Sequence, residues 1–184
     1  MKRRLFIAIL LEEEIKRKIE KIKKEKMKKF PSSSLRWVEK ENFHITLNFL
    51  GNVEEEKIEE IKKAILKAVK EVSSFPIILN EVLTFPEKKP RMIWVSGEVS
   101  PSLLSLKKKI DDNLREINIS FKDNHPFRLH ITLARAKGRV LFKREFKEKI
   151  QISFLAKEIG LMESKLSPKG PTYIPLSIFS LKKL

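Results

Sequence analysis

The pattern of apolar and polar positions predicts short strands interleaved with amphipathic helices. Compact apolar runs and strict alternation predict strands in these segments: Arg4–Leu10, Leu35–Val38, Phe43–Leu50, Ile77–Phe85, Met92–Val99, Arg128–Ala134, Glu158–Leu166 and Tyr173–Leu181. Apolar residues at helical spacing predict helices in three further segments: Leu11–Met27, Glu54–Val72 and Ser102–Ile117. Gly51-Asn52 is interpreted as a turn that ends the third strand, and Lys143–Lys149 as a short fourth helix.

The order of these elements predicts an α+β fold with antiparallel sheets. Two pairs of neighbouring strands flank short polar connections, which is typical of hairpins, at Ile77–Val99 and at Glu158–Leu181. Few strand–helix–strand units of the parallel type occur. A length of 184 residues fits one domain with its own apolar core, so we expect residues 1–184 to form a single unit.

The net charge narrows the class of partner. Forty lysines and arginines against 24 acidic residues give a net charge of +16, which favours a polyanionic partner, most simply nucleic acid. The alternative is that the lysines only solubilise helix faces. The absence of cysteine excludes a disulfide framework and a thiol nucleophile. No apolar run is long enough for a membrane span, and Glu12–Glu14 stands where a signal peptide would be cleaved, so we expect a cytoplasmic protein.

One tetrapeptide, His-Ile-Thr-Leu, occurs twice, at His44–Leu47 and at His130–Leu133. The two copies begin 86 residues apart, close to half of the chain, and each lies in a predicted strand some distance after a predicted helix. Such a repeat indicates a diverged internal duplication. We therefore predict two lobes around a cleft.

Alternation within the two motif strands places each histidine beside a threonine. Successive strand residues point to opposite faces, so His44, Thr46 and Asn48 share one face of the first strand. The opposite, apolar face takes Phe43, Ile45, Leu47 and Phe49. In the second strand His130 and Thr132 share a face. Each motif thus presents an imidazole next to a hydroxyl.

Paired imidazoles and hydroxyls suit phosphoryl chemistry. Imidazole exchanges a proton near pH 7, so two histidines on opposite sides of a phosphorus atom can act as base for the incoming oxygen and acid for the leaving one. Threonine hydroxyls can donate hydrogen bonds to the non-bridging oxygens. We predict that His44 and His130 are catalytic and that Thr46 and Thr132 bind phosphate, without a metal ion or cofactor.

Other interpretations of the histidines compete with this one. A single histidine in a strand is usually packed or merely exposed, but its occurrence in a repeated motif favours catalysis. A zinc site would need a third ligand such as Glu41 or Asp123, and neither stands at a recognisable ligand spacing. The third histidine, His125, precedes Pro126 in a polar stretch and is interpreted as a loop residue.

The segments around the motifs carry a family resemblance. These segments are Arg4–Ile9, Arg36–Val38, Phe43–Gly51, Phe127–Arg135, and Ser164–Tyr173 with its Leu166 and Gly170. They resemble the two-histidine phosphoesterase superfamily and, within it, the RNA 2′,3′-cyclic phosphodiesterases, also called 2′-5′ RNA ligases. The resemblance extends over nearly the whole chain.

The resemblance implies a bilobal α+β fold in which two antiparallel sheets face each other across a cleft, with helices outside. It implies hydrolysis of an RNA 2′,3′-cyclic phosphate to a 2′-phosphate, with His44 as proton donor to O3′ and His130 as proton acceptor. It also implies ligation of RNA ends through a 2′-5′ linkage, with transfer-RNA halves as the associated substrates. The nearly symmetric motifs do not by themselves separate donor from acceptor. We therefore expect RNA with a cyclic phosphate end as partner of a monomeric enzyme.

Arg135 matches an arginine that the family carries five residues after the second motif histidine. A guanidinium there can hold phosphate oxygens through two hydrogen bonds, so Arg135 is a candidate phosphate-binding residue. Strict alternation, however, places Arg135 on the face of Ile131 and Leu133. The assignment therefore requires a bulge or a strand end at this point.

Aromatic residues near the motifs are candidates for stacking on RNA bases. Alternation assigns Phe43 to the core, and Trp37 fits either role. Tyr173 either lines the cleft or caps the last hairpin, and the second interpretation is favoured. Two rival functions stay open: a cyclic phosphodiesterase for a small nucleotide or an ADP-ribose derivative, and a non-catalytic RNA-binding module. The net charge speaks against the first, and the intact pair of motifs speaks against the second.

Overall fold

Two antiparallel sheets and three α-helices make up the described part of the protein. The computed structural model describes residues 1–30, 34–121, 126–137, 146–168 and 170–183. The strands are β1 (Lys2–Leu10), β2 (Leu35–Trp37), β3 (His44–Glu54), β4 (Phe75–Phe85), β5 (Met92–Gly97), β6 (His130–Ala136), β7 (Lys147–Ala156), β8 (Glu158–Ser167) and β9 (Gly170–Ser180). The helices are α1 (Glu13–Met27), α2 (Ile58–Val69) and α3 (Pro101–Glu116). Short 3₁₀ turns at Lys40–Asn42 and Glu55–Lys57 lead into β3 and α2.

The strands form one sheet in the order β3-β1-β8-β9 and a second in the order β2-β6-β5-β4-β7. Neighbouring strands within both sheets are antiparallel. The predicted α+β class with two antiparallel sheets is therefore confirmed. Each sheet combines strands from both halves of the chain, because β2 pairs with β6 and β8 pairs with β1. The two lobes are consequently not two consecutive stretches of sequence.

The strand registers preserve a trace of duplication. Strand β1 pairs with the first motif strand β3, and β5 pairs with the second motif strand β6. Opposite the two motif threonines stand Ala8 and Trp94, which are 86 residues apart, as the motifs are. In both pairs the register then shifts by one residue, so Leu47 and Leu133 are the extra residues of equivalent β-bulges.

A single large cluster of buried apolar side chains fills the interior between the sheets and helices. Each helix turns one apolar stripe towards it, for example Ile15 and Ile19 of α1, because residues three to four apart share a helix face. Helices α2 and α3 pack against each other, and Asn113 Nδ2 donates a hydrogen bond of 3.0 Å to the Ala64 carbonyl. The core thereby fixes the strands that carry the two motifs.

Two of the predicted elements are wrong. Gly51-Asn52 is not a turn, because β3 continues to Glu54, and Gly51 adopts φ +70° at a second register shift within the strand. Glycine adopts this conformation readily, in a bulge as well as in a turn. The glycine that suggested a turn is therefore also compatible with a strand that continues. The predicted helix at Lys143–Lys149 is also wrong where it is described, because Lys147 begins β7, an edge strand whose exposed charged residues resemble a helix surface.

Candidate active site

The first motif presents His44 and Thr46 on the cleft side of β3. Beyond them the bulge at Leu47 reverses the alternation, so Asn48 is buried at 2% exposure and Phe49 is 47% exposed on the cleft side. The predicted faces of Asn48 and Phe49 are therefore wrong, because one extra residue in a strand exchanges every following face. Asn48 instead points inwards and donates a hydrogen bond of 2.7 Å from Nδ2 to Asp111 Oδ1 of α3.

A buried ionic network anchors this bulge from behind. Lys107 donates to Asp111 through bonds of 2.7 and 2.6 Å, and all three members of the Asn48–Lys107–Asp111 network are less than a tenth exposed. The carboxylate is thus shared between an ammonium and the amide of the motif strand. Because a buried charge needs such partners, the network holds β3 against α3 at the position of the bulge.

The second motif presents His130 and Thr132 on β6. The bulge in this strand is the irregularity that the assignment of Arg135 as a phosphate-binding residue requires. The extra residue Leu133 leaves Ala134 fully buried and turns the exposed Arg135 to the side of Thr132. Arg135 lines the cleft together with His44. The bulge that Arg135 needs is therefore present.

The cleft has a volume of about 730 Å³ and combines apolar and cationic walls. Its lining includes Arg4, Phe6, His44, Phe49, Phe121, Arg135 and Tyr173. A smaller adjoining cavity of about 120 Å³ brings His44 together with Thr132 and Arg135. Residues of the first and second motif strands therefore border the same space, as the repeat predicted.

Hydrogen bonds fix the same ring orientation for both histidines. Nδ1 of His44 lies 2.6 Å from the Asn42 carbonyl, and Nδ1 of His130 lies 2.9 Å from the Arg128 carbonyl. A carbonyl oxygen only accepts, so we assign the proton of each neutral ring to Nδ1. Nε2 is then the basic nitrogen in both rings. Thr46 Oγ1 lies 2.9 Å from Nε2 of His44 and donates to it in this tautomer.

Both imidazoles are poised in their neutral form. Burial lowers the pKa of His44 from 6.5 to about 4; the Asn42 carbonyl opposes this shift, and the charges of His130 and Arg135 add to it. Burial also lowers the pKa of His130, again against its backbone carbonyl partner and with the help of Arg135. Desolvation disfavours the charged form of a base, so each ring of the free protein is neutral near pH 7.

The aromatic surroundings of the two histidines differ. The ring of His44 lies 4.9 Å from that of Phe6 and meets Tyr173 edge-on at 5.1 Å. The ring of His130 stacks on Trp94 at 3.9 Å, and Trp94 stacks in turn on Phe85 at 3.8 Å. A cage of rings therefore encloses His44, whereas His130 lies at the end of a stacked column.

Sequence reasoning missed several residues of this site. Tyr173 contacts His44 and lines the cleft, so the less favoured of its two interpretations is confirmed. Trp94 and Phe6 were not singled out, although Trp94 stands 86 residues after Ala8 and could have been found by aligning the two repeats. Phe43 is buried at 2% exposure, as alternation predicted. Trp37 lines the smaller cavity.

The remaining sequence candidates are placed as follows. His125 and Asp123 lie outside the described residues. The carboxylate of Glu41 lies 4.0 Å from Lys40, and the described ranges contain no group of three or more histidines, aspartates or glutamates able to hold a metal ion. Within those ranges no helix has the length and apolar character needed to cross a membrane.

Comparisons with known proteins match this site and fold. The model of the LigT-like phosphoesterase family matches the chain twice, over residues 9–94 and 93–173, so that each match contains one of the two motifs. The RNA 2′,3′-cyclic phosphodiesterase of Methanocaldococcus jannaschii is 36% identical, covering 92% of this chain and 96% of that protein. The protein of the same name from Thermotoga maritima is 33% identical, covering 92% and 91%.

Solved structures agree with the sequence matches. The protein TT0787 of Thermus thermophilus superimposes with a TM-score of 0.86 at 27% identity over 98% of both chains. Escherichia coli LigT, solved in complex with 3′-AMP, superimposes with a TM-score of 0.77 at 29% identity over 98% of this chain and 99% of its own. With its two family matches and its repeated motif on one cleft, the chain belongs to the LigT-like phosphoesterase family.

Proposed function

We propose that this protein hydrolyses the 2′,3′-cyclic phosphate at the end of an RNA to a 2′-phosphate, using His44 and His130 as acid and base. The observation that carries the proposal is the equivalent placement of the two motifs on their strands, with His44 of the first motif, Thr132 of the second and Arg135 lining one cavity. Relatives at 36% and 33% identity bear the name RNA 2′,3′-cyclic phosphodiesterase. The net charge of +16 suits a polyanionic substrate.

The proposed binding mode uses the groups around the smaller cavity. The cyclic phosphate is an anion, and the Arg135 guanidinium can donate two hydrogen bonds to its non-bridging oxygens. Thr132 and Thr46 supply hydroxyl donors, the latter by exchanging its hydrogen bond to His44 for one to phosphate. The apolar rings of Phe6 and Phe49 line the larger cavity, where they can contact the terminal nucleoside.

The proposed chemistry consists of one displacement at phosphorus. Nε2 of His130 takes a proton from water while the water oxygen attacks phosphorus. The bond from phosphorus to O3′ breaks, and the His44 imidazolium donates its Nε2 proton to O3′. The products are a 2′-phosphate monoester and a free 3′-hydroxyl, with the proton transferred from His44 to His130 overall. Exchange with solvent restores the starting protonation states.

The donor must be charged before it acts, although burial lowers the pKa of His44 to about 4 in the free protein. A bound phosphate anion opposes the charges that contribute to this shift, because it lies beside the imidazole and Arg135. Substrate binding therefore raises the pKa of His44 towards the range in which it carries a proton. Substrate binding thereby favours catalysis, because the negative charge of the phosphate stabilises the protonated, positively charged form of His44.

The same geometry also accommodates an alcohol in place of water. If the 5′-hydroxyl of a second RNA attacks the cyclic phosphate while O3′ leaves, the product is a 2′-5′ phosphodiester, and the roles of the histidines are unchanged. We propose this ligation as a second activity, with transfer-RNA halves as candidate substrates. In both activities we propose that the 184 residues act as a single, monomeric domain without metal ion or cofactor.

Product analysis tests this proposal directly. An RNA ending in a 2′,3′-cyclic phosphate is incubated with the protein in the presence of a chelator, alone or with a second RNA that carries a 5′-hydroxyl. We expect a 2′-phosphate from the first reaction and a 2′-5′ linkage from the second. A 3′-phosphate product would contradict the assignment, and loss of activity that zinc restores would favour a metal site. Equal turnover of RNA and of small cyclic phosphates would favour the small-nucleotide alternative, and tight RNA binding without turnover would favour a binding module.

A further inference from the structure

Two exposed arginines stand directly opposite each other beside the candidate active site. Arg36 of β2 and Arg135 of β6 are register partners, so their side chains leave the second sheet on the same face. Both line the smaller cavity that also contains His44 and Thr132. Arg36 therefore belongs to the same surface as the proposed phosphate-binding arginine.

The first sheet contacts the stem of Arg36 from the other side. The Arg36 Cδ lies 3.9 Å from the point that a Cβ would occupy on Gly170, the first residue of β9. Gly170 has φ +129°, a conformation that favours glycine. Because β2 and β9 belong to different sheets, Arg36 lies where the two sheets meet.

The two guanidinium groups have no carboxylate partner within the described residues. Arg135 donates from Nη1 to the Met92 sulfur at 3.2 Å, and Arg36 has no hydrogen bond or ion pair in that part of the chain. Some other cations of the described residues do have carboxylate partners, as in Arg3–Glu163 and Lys107–Asp111. Like charges placed opposite each other in a sheet are destabilising. An arginine pair of this kind is suited to an external anion with more than one charged group.

We propose that Arg36 binds a second phosphate of the substrate, the one on the 5′ side of the terminal ribose. This inference rests on the proposed function, in which Arg135 binds the cyclic phosphate. Directly opposed residues have Cβ atoms about 5 Å apart, and two long side chains can widen that spacing to match successive phosphates of one strand. The site thereby prefers a cyclic phosphate at the end of a chain to a cyclic mononucleoside phosphate that lacks a 5′-phosphate.

Two matched pairs of small ligands test the inference. The first pair is adenosine 2′,3′-cyclic phosphate with and without a 5′-phosphate, compared by kcat/KM. The second is adenosine 2′,5′-bisphosphate and adenosine 2′-monophosphate, compared by calorimetric binding, which needs no turnover. We expect the 5′-phosphate to improve both measures about tenfold or more, as for a charge-assisted hydrogen bond. In Arg36→Ala the ratio within each pair should fall towards one, and Arg36→Lys should retain part of it.

A second arginine variant controls for the loss of charge. Arg17 lies on the exposed surface of α1, so Arg17→Ala should leave both ratios as in the original protein. The affinity for the bisphosphate should depend less on salt concentration in Arg36→Ala but not in Arg17→Ala, because salt then screens one charged contact fewer. Circular dichroism before each measurement establishes that the variants are folded.

The outcomes separate this inference from the proposed function. If the original protein binds both nucleotides of the second pair equally, or if Arg36→Ala keeps the ratios, the second phosphate site is refuted. If neither small cyclic phosphate is hydrolysed and an RNA ending in a 2′,3′-cyclic phosphate is not hydrolysed either, the proposed function fails, and the binding pair still decides the role of Arg36. Equal losses on both members of each pair would assign Arg36 to the reacting phosphate or to the fold and would likewise overturn the inference.

Discussion

The two motif strands of the cleft have the same backbone conformation but differ in the side chains around them. Each presents a His-x-Thr unit and bulges at the next leucine, Leu47 or Leu133. After the bulge the equivalent cleft positions carry Phe49 in the first half and Arg135 in the second. The repeated frame therefore places an apolar ring on one motif strand and a guanidinium at the equivalent position of the other, which suits a substrate with a nucleoside at one end and a phosphate at the other.

The difference extends to the residue opposite each motif threonine. Ala8 offers no ring to His44, and the rings of Phe6 and Tyr173 enclose that histidine instead. Trp94, at the equivalent position, itself supplies the surface on which His130 stacks. Only His44 has a hydroxyl partner on Nε2 within the described residues. The comparison indicates that the two halves share the placement of the imidazoles. They differ in the residue opposite the motif threonine, and this residue changes the aromatic surroundings of each imidazole.

The strongest test of the comparison is to remove each imidazole. His44→Ala and His130→Ala should each lower kcat for the cyclic phosphate by about 10²–10⁴-fold, because each removes one partner of the proton transfer. The double variant should lose little more than either single one, since the two groups act as a unit. The measurement is single-turnover hydrolysis of a cyclic phosphate RNA.

His125→Ala serves as the matched control for these variants, because it removes the third histidine of the chain and leaves both motifs intact. We expect its kcat to equal that of the original protein. Additive losses in the double variant, or retention of activity in either single variant, would contradict a concerted role for His44 and His130.

The next test removes the hydroxyls one half at a time. Thr46→Val and Thr132→Val should each lower kcat/KM, by about 10-fold or more for a lost hydrogen bond to a charged group. Thr46→Val should cost more, because its hydroxyl also contacts Nε2 of His44. Replacement of either threonine by serine keeps the hydroxyl and should restore most of the activity. Equal losses of kcat/KM in Thr46→Val and Thr132→Val would show that the contact between Thr46 and His44 does not contribute to activity.

A third test concerns the network behind only one of the bulges. Asn48 bonds the buried Asp111, whereas the equivalent residue of the second half is the apolar Ala134. Asn48→Ala should lower the free energy of unfolding by about 1–3 kcal/mol, because it removes a hydrogen bond to a buried carboxylate. Urea denaturation measures this change. Asn80→Ala, at a half-buried strand position with an exposed bond of 3.4 Å to Glu98, is the control and should change stability by less than about 0.5 kcal/mol.

The sequence predicted the fold class and the pair of histidines because both depend on short-range patterns. Alternation around His44 and His130 was correct up to each threonine, since no irregularity precedes it. Beyond the threonines it failed, because a bulge depends on the pairing with a neighbouring strand and leaves no mark in the alternation itself. The misplaced Asn48 and Phe49 and the difficulty with Arg135 have this single cause.

Contacts between distant segments were the second limit of sequence reasoning. Tyr173 reaches His44 from β9, and Arg36 meets Arg135 because β2 crosses into the sheet of the second motif. Such pairings follow from the sheet topology, which periodicity does not specify. The segment around Lys147 shows the same limit, because an edge strand with exposed lysines and glutamates shares its composition with a helix surface.

The smallest expected effect is a difference in titration between the two imidazoles. The chain has three histidines, so proton–nitrogen NMR of the rings, assigned with His44→Gln and His130→Gln, follows each one separately. Because burial lowers the pKa of both motif histidines, His44 should titrate near pH 4 and His130 below 6.5. Addition of adenosine 2′-monophosphate should raise the pKa of both, since the phosphate is an anion beside them.

The same shifts set the direction of two pH dependences. The unfolded chain binds a proton at His44 near pH 6.5 and the folded protein only near pH 4, so stability due to this residue is lost as the pH falls between these values. The rate constant kcat/KM reports the free enzyme, which must hold one imidazole charged and one neutral. Both pKa values are lowered, so its optimum should lie below pH 6.5, and an optimum above pH 7 would contradict the assignment of both histidines to proton transfer.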